Sequence, residues 1–419
     1  MIGLVSFRSR WLWTICACFS LLLIYRLYFK VATYASSNNT EAKGESKGGV
    51  KHHGFEQYGA AWSSPVGVAT LTAPQKLTSI SFSKPIYTPG TVKQAGSNYT
   101  RTLVIARITE EDVGWIEEQL GSEQLLETAI YTVDASTPPY LVPQNKGHEV
   151  MPYLTYIITH YHNLSDVTLF MHAHAVTWHN NDLLDSSAAQ IVRTLSPPKV
   201  VRDGYFNLRC HQEPGCPHHI YPFKQDDDAV NKPEIVIFRR SWEELFPGEE
   251  VPTVVSQPCC AQMALSRERI QALPLERYKF FRDWLLKTPL EDKLSGRVWE
   301  YVWQYIWAGV AEFCPKEHIC YCDGYGICFG GEEQYARYFD KRQTVRDLQK
   351  DMEEILGEED WIEGTFDKDK DNKIRSIKMK IQKIEEEMDG LKREAIERGK
   401  DPKIRALESG RGWKEGEGF

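Results

Sequence analysis

The chain carries no surplus of positive charge: 50 Lys and Arg face 58 Asp and Glu, a formal net charge of -8 over 419 residues. A general nucleic-acid binder needs a basic face for phosphate, so no nucleic-acid partner is expected. The compositions of collagen, mucin-like stalks and fully disordered chains are also absent. With 42% hydrophobic and 26% charged residues, the chain is that of a globular protein with room for one large domain and accessories. Cys314, Cys320, Cys322 and Cys328 gather near His318 without a Cys-x-x-Cys pair, which leaves zinc the weaker reading and disulfides the stronger.

One long uncharged run is present. Residues 11–25, extended past Arg26 to residue 29, reach the length that spans a bilayer, and Arg26 can snorkel to the interface. Arg8 and Arg10 precede the run, so residues 1–10 are expected as a cytosolic tail and 11–29 as the signal anchor of a single-pass type II membrane protein. A cleaved signal peptide ending near Ala35 is the competing reading. Either one directs the remainder to the Golgi or another secretory-pathway lumen. Asn38, Asn98 and Asn163 begin N-glycosylation triplets, and eight cysteines lie beyond the run, an even number that disulfides would use in an oxidising compartment. Cys210 and Cys216 bound a short loop that one bridge would close, whereas the adjacent Cys259 and Cys260 are expected to have distant partners.

Residues 30–98, rich in Ser, Thr, Gly, Lys and Pro, read as a stem, and residues 99–330 as the lumenal domain. Residues 101–106 and 129–133 are strand-like, with a helix start signalled at residues 109–112 between them. In the stretch 147–178 (GHEVMPYLTYIITHYHNLSDVTLFMHAHAVTW), Met151, Leu154, Ile157, Ile158 and Tyr161 keep helical spacing, and residues 167–171 form a buried strand ending in His172-Ala173-His174. Strand, helix, strand, helix, strand predicts an α/β fold with a mostly parallel, Rossmann-like sheet. Further on, residues 233–238 read as a strand, Ser241 as the cap of a short helix, and residues 267–286 and 296–311 as helices, the second carrying Trp299, Trp303 and Trp307.

The succession of GHEVMPYLTYIITHYHNLSD, a strand ending in HAH, CCAQMALSRERI and SGRVWEYVWQYIWAG resembles the fungal and bacterial family called domain of unknown function 3431, over residues 101–330. That outline is similar, more remotely, to single-Rossmann (GT-A) glycosyltransferases. The similarity implies a nucleotide sugar as donor substrate and a divalent metal at a strand end, where such enzymes place Asp-x-Asp. Here His172-x-His174 stands in that place, a metal pair whose imidazoles favour manganese or softer ions over magnesium, with His179 as a third ligand; capping of the strand is the plain alternative. For a catalytic carboxylate the candidates are Glu300, which otherwise pairs with Arg297, and Asp203, which otherwise supports a turn before Gly204. Arg107 and Arg202 are candidates to hold the donor's phosphates, with surface ion pairing as the alternative. The three tryptophans offer a sugar platform or, at helical spacing, core.

Residues 331–419 form a charged helical tail. The apolar positions 345–355 and 374–395 repeat at three and four, a coiled-coil pattern that would pair back on itself, form a homodimer or engage a helical partner. Residues 367–378 resemble a calcium loop but have Lys378 in place of the final Glu and Asn372 in place of Gly, so they read as a connector. Three functions follow: a membrane-anchored glycosyltransferase, a metal-dependent hydrolase using His172 and His174, or a lumenal scaffold assembled through its coiled coil.

Overall fold

The central strands are apolar along their whole length because both of their faces are covered. β1 (Arg101–Arg107) and β3 (Val167–His172) turn Val104 and Phe170 into one layer, and Leu103, Ile105, Leu169 and Met171 into the other. β2 (Leu126–Thr132), β4 (Tyr205–Asn207) and β5 (Met263–Ser266) complete a five-stranded sheet in the order β2-β1-β3-β5-β4. The computed structural model describes residues 87–224, 234–357 and 368–419. The anchor at 11–29, the cytosolic tail, most of the stem and Asn38 lie outside them; among the described residues no helix is long and apolar enough to cross a membrane.

The α/β class holds, but the sheet is mixed rather than mostly parallel. β1 pairs parallel with β2 and β3, whereas β5 runs antiparallel to both β3 and β4. The cause is the connection. The chain leaves the carboxyl end of β4, makes a long excursion and returns at that same end, so β5 has to run back.

One face is covered by α2 (Val150–His160), α5 (Glu234–Leu245), α7 (Leu275–Lys287), α8 (Asp292–Glu300) and α9 (Trp303–Ala308). On the other lie α1 (Gly114–Leu120), α3 (Ala188–Thr194), α4 (Pro197–Asp203) and residues 320–327. α6 (Arg267–Gln271) follows β5, and Pro274 separates it from α7, so the single helix expected over 267–286 is two. The helix expected over 296–311 likewise breaks after Glu300, which turns Tyr301 toward Glu234, to whose carboxylate its hydroxyl donates at 3.0 Å. From Glu234 on, the strand expected at 233–238 is the first half of α5. Its β-branched residues are outweighed by Ile235, Phe238, Trp242 and Leu245, which are buried at helical spacing, and Ser241 sits inside the helix.

All eight cysteines beyond residue 200 are bridged, in pairings that differ from the expected ones. Cys210 binds Cys320 and Cys216 binds Cys314, so the Cys210–Cys216 loop is not closed on itself but tied to the 314–328 stretch. Cys322 binds Cys328, which leaves no thiolate for zinc. Cys259 and Cys260 bind each other, made feasible by a backbone that turns through positive φ at Cys260 and Ala261.

After a short α10 (Glu317–Ile319), α11 (Glu332–Leu356) and α12 (Lys368–Arg398) pack against each other, with Lys341 2.7 Å from Glu387. Residues read as a connector are helical from 368 onward. α13 (Pro402–Glu408) then docks through Arg405, which donates to the Asp323 carbonyl at 2.8 Å. Residues 87–98, read as the end of the stem, run along the domain: the Gly90 N–H donates to the Arg202 carbonyl at 2.8 Å, and Lys93 lies 2.6 Å from Asp166.

Candidate functional site

From β1 the chain crosses to β2 on one side and then to β3 on the other, so the strand order reverses between the carboxyl ends of β1 and β3. Chain connections diverge at such a point and leave a crevice, the usual ligand position in open α/β sheets. Arg107 ends β1 and His172 ends β3, so these two expected residues stand at the same end of neighbouring strands, with alternation turning Arg107 to the face of Ile105 and His172 to that of Phe170. Arg107 is half-buried and forms no ion pair with a described residue; its Nε is buried without a partner. Just past β2, Asp134 accepts from the Thr109 N–H at 2.8 Å and its hydroxyl at 2.9 Å. The Thr109 hydroxyl chiefly, with Arg107 adding, holds that carboxyl below its usual range.

His172 Nε2 lies 2.7 Å from the Cys260 carbonyl, and its backbone N–H donates to Gln262 Oε1 at 3.1 Å. A carbonyl only accepts, so Nε2 carries a proton and Nδ1 is the ring's free lone pair. Burial pushes His172 below the usual imidazole range, against the opposing effect of the Cys260 carbonyl. His179 joins it with ring centres 5.2 Å apart; burial, then His172, pushes His179 down to about 3. His174 is exposed, with Nε2 3.7 Å from Glu111. These side chains form no preassembled metal cage. Among the described residues the only three ligand groups within 4.8 Å of one another are Cys322, Cys328 and Glu408, and those two sulfurs share a disulfide.

Glu300 ends α8 partly open to solvent. Burial and the neighbouring Glu149 push its carboxyl up to about 8, with Arg297 opposing. The Arg297 guanidinium lies 3.1 Å from the fully buried Glu234. Glu149, at the start of α2, is itself raised by burial. One turn on, Tyr153 is fully buried with an unpartnered hydroxyl, and its ring lies 4.9 Å from Phe170, two residues before His172 on the same sheet face. The loop 256–262 ties the two groups together. Gln257 Nε2 donates to the Glu300 carbonyl, Asn207 Nδ2 donates to the Pro258 carbonyl at 2.7 Å, and Cys260 meets His172.

Two expected residues lie elsewhere. Arg202 and Asp203 close α4, at the amino-terminal end of β4 and so at the opposite end of the sheet from His172. Arg202 pairs with the buried Asp323 at 2.6 Å, the ion pairing that was its plain alternative, whereas Asp203 pairs with Lys199 at 2.6 Å. Trp299, Trp303 and Trp307 are fully buried core. The aromatic ring open to solvent near the histidines is Trp178, 46% exposed and 4.2 Å from the His179 ring.

Sequence reasoning missed Arg209, Glu111 and Glu149. Arg209 follows β4, is 7% exposed, and donates to the carbonyls of Trp178 at 2.6 Å and Glu213 at 2.9 Å, with no carboxylate at ion-pair distance among the described residues. The signal for it was a cation just past a strand, but that strand has three residues and was not recognised. Glu149 stood in the quoted GHE, where nothing local marks a carboxylate as buried. Taken together, this end of the sheet carries the Arg107 guanidinium, which acts on Asp134, and the His172 ring with Nδ1 free, while Glu300 is tied through its backbone carbonyl to the loop that meets His172.

No curated protein and no solved structure matches the chain. The family described as "Protein of unknown function (DUF3431)" matches residues 103–323, just over half of the chain, and the protein belongs to that family.

Proposed function

We propose that this protein is a glycosyltransferase-like enzyme of the secretory pathway, anchored as a type II membrane protein, that takes a nucleotide sugar as donor. The observation that carries the reading is Arg107: a half-buried guanidinium at the point where strand order reverses, in no ion pair with a described residue, with its Nε unpartnered and only the field of Asp134 near it. Such a group suits a diphosphate, which brings the charge the guanidinium lacks. Glu300, with its carboxyl raised to about 8, acts as the base. Its carboxylate takes the proton of the acceptor hydroxyl, the acceptor oxygen bonds to the sugar's anomeric carbon, and the bond from that carbon to the phosphate oxygen breaks, its electron pair leaving with the diphosphate. Arg107 then faces the developing charge. The four disulfides support an oxidising lumen as the working compartment.

The grouping of His172, His174 and His179 with Glu111 favours a second reading, a metal-dependent hydrolase in which a bound ion activates water. Thermal unfolding of the full chain against nucleoside diphosphates and nucleotide sugars, with and without manganese, separates the two. A ligand at about a hundred times its Kd stabilises the native state by about 2.7 kcal/mol, a readable shift in Tm. The transferase reading expects a nucleotide-specific shift that Arg107→Gln removes while leaving the ligand-free Tm in place. A shift with manganese or zinc alone favours the hydrolase. No shift with any of these ligands leaves the scaffold.

A further inference from the structure

We propose that the disulfide between the adjacent residues Cys259 and Cys260 positions His172, so that the oxidation state of this pair governs the crevice at the end of β3. The bond closes a ring through a single peptide unit, with the Cα atoms 3.7 Å apart. Cys260 and Ala261 stand at φ 91° and 48°, a left-handed region that residues bearing a Cβ rarely adopt. Neither is glycine, so an external constraint has to hold them there, and the ring at 259–260 is one. The carbonyl turned inward by this conformation is that of Cys260, and it accepts from His172 Nε2 at 2.7 Å.

The flanks of the ring are fixed independently. The Cys259 N–H donates to the Pro214 carbonyl at 3.1 Å, the Pro258 carbonyl accepts from Asn207 at 2.7 Å, and Gln262 accepts from the His172 backbone at 3.1 Å. Opening the bond therefore frees the 260–261 turn and leaves the rest of the loop anchored. A dithiol reductant does this by exchange: its two sulfurs join, and their protons and an electron pair pass to Cys259 and Cys260 as two thiols. Residues 260–261 then relax toward negative φ, the carbonyl leaves His172, and the imidazole is no longer held with its proton on Nε2 and Nδ1 free. What this does to sugar transfer rests on the transferase reading; the positioning of His172 does not.

The test uses the full chain labelled with ¹⁵N-histidine. A ring N–H held in a buried hydrogen bond exchanges slowly and gives a correlated ¹⁵N–¹H signal, assigned to His172 by its absence in His172→Gln. That signal is expected in the native protein, lost in Cys259→Ser/Cys260→Ser, and retained in Cys322→Ser/Cys328→Ser, which opens a different bridge. Its persistence in the first variant, its absence from the native protein, or its loss in both variants overturns the proposal. If the first variant does not fold, non-reducing peptide mapping of the native chain decides. A closed Cys259–Cys260 ring supports the proposal, and free thiols there or a link to another cysteine overturn it. Nucleotide binding enters none of these readouts, so a failed transferase reading leaves their outcome unchanged.

Discussion

Replacing Glu300 by Gln tests the site's chemistry and its energetics at once. The folded-state carboxyl is raised to about 8 from an ordinary 4.5, chiefly by burial and next by Glu149. A raised value means that the folded state holds the proton more tightly than the unfolded chain does. The resulting stability is fully present below about pH 4.5 and is lost as pH rises through 8. The full shift would be worth about 5 kcal/mol. Water reaching the partly open carboxyl reduces that to about 2–3 kcal/mol. Glutamine keeps the shape and cannot ionise, so Glu300→Gln should match the native protein near pH 5 and exceed it by about 2–3 kcal/mol at pH 8.5. Urea unfolding with disulfides intact, at half-unit steps of pH, reads the difference from the midpoints. Under the transferase reading the same variant has no base, so transfer should fall by about 10²- to 10⁴-fold while stability at pH 8.5 rises. A stability difference that stays constant from pH 5 to 8.5 would show that Glu300 holds no extra proton in the fold, and would refute the reasoning.

Asp323, 2% exposed, is held at about 2 by Lys199, Arg202 and Arg411 against the cost of its burial. This depressed value stabilises the fold above about pH 3.8 and is lost as pH falls toward 2, so Asp323→Asn should cost about 3 kcal/mol at pH 7 and progressively less in acid urea titrations. At Gly399 an added Cβ would meet the Gly326 carbonyl at 1.9 Å, backbone that cannot swing aside. Gly399→Ala should therefore lift the end of α12 from the domain at a cost of about 1–3 kcal/mol, read by limited proteolysis as faster cleavage between residues 326 and 331.

Much of the core sheet was legible because it is locally written. β1, β3 and α2 lie within a residue or two of where their apolar runs put them, since strands covered on both faces and a helix buried on most of its surface leave an unbroken signal. α5 was misread where β-branched residues, Ile235-Val236-Ile237, competed with the spacing of Ile235, Phe238 and Trp242. For the site, locating a strand was enough to place Arg107 and His172. Locating Arg202 and Asp203 required the direction of β4, and that is fixed only by pairing with β5, some 60 residues on in the sequence. The Cys259–Cys260 bond was likewise out of reach, because positive φ at two residues with side chains is set by their surroundings and not by their identity.

The direction of β5 also decides what the site is made of. β5 runs antiparallel to β3, with Met263 beside Phe170, so the loop that enters it, 256–262, lies at the carboxyl ends of β1 and β3. That loop supplies the Cys260 carbonyl to His172, the Gln262 amide to the His172 backbone, and Gln257 to the Glu300 carbonyl. In the mostly parallel sheet that the sequence leads one to expect, a strand in this place would be entered from the opposite end, and the same loop would sit beside Arg202 and Asp203. His172 would then lack its acceptor and Glu300 its tether. The antiparallel strand is therefore the physical reason why one loop meets both the His172 ring at the end of β3 and the Glu300 carbonyl at the end of α8.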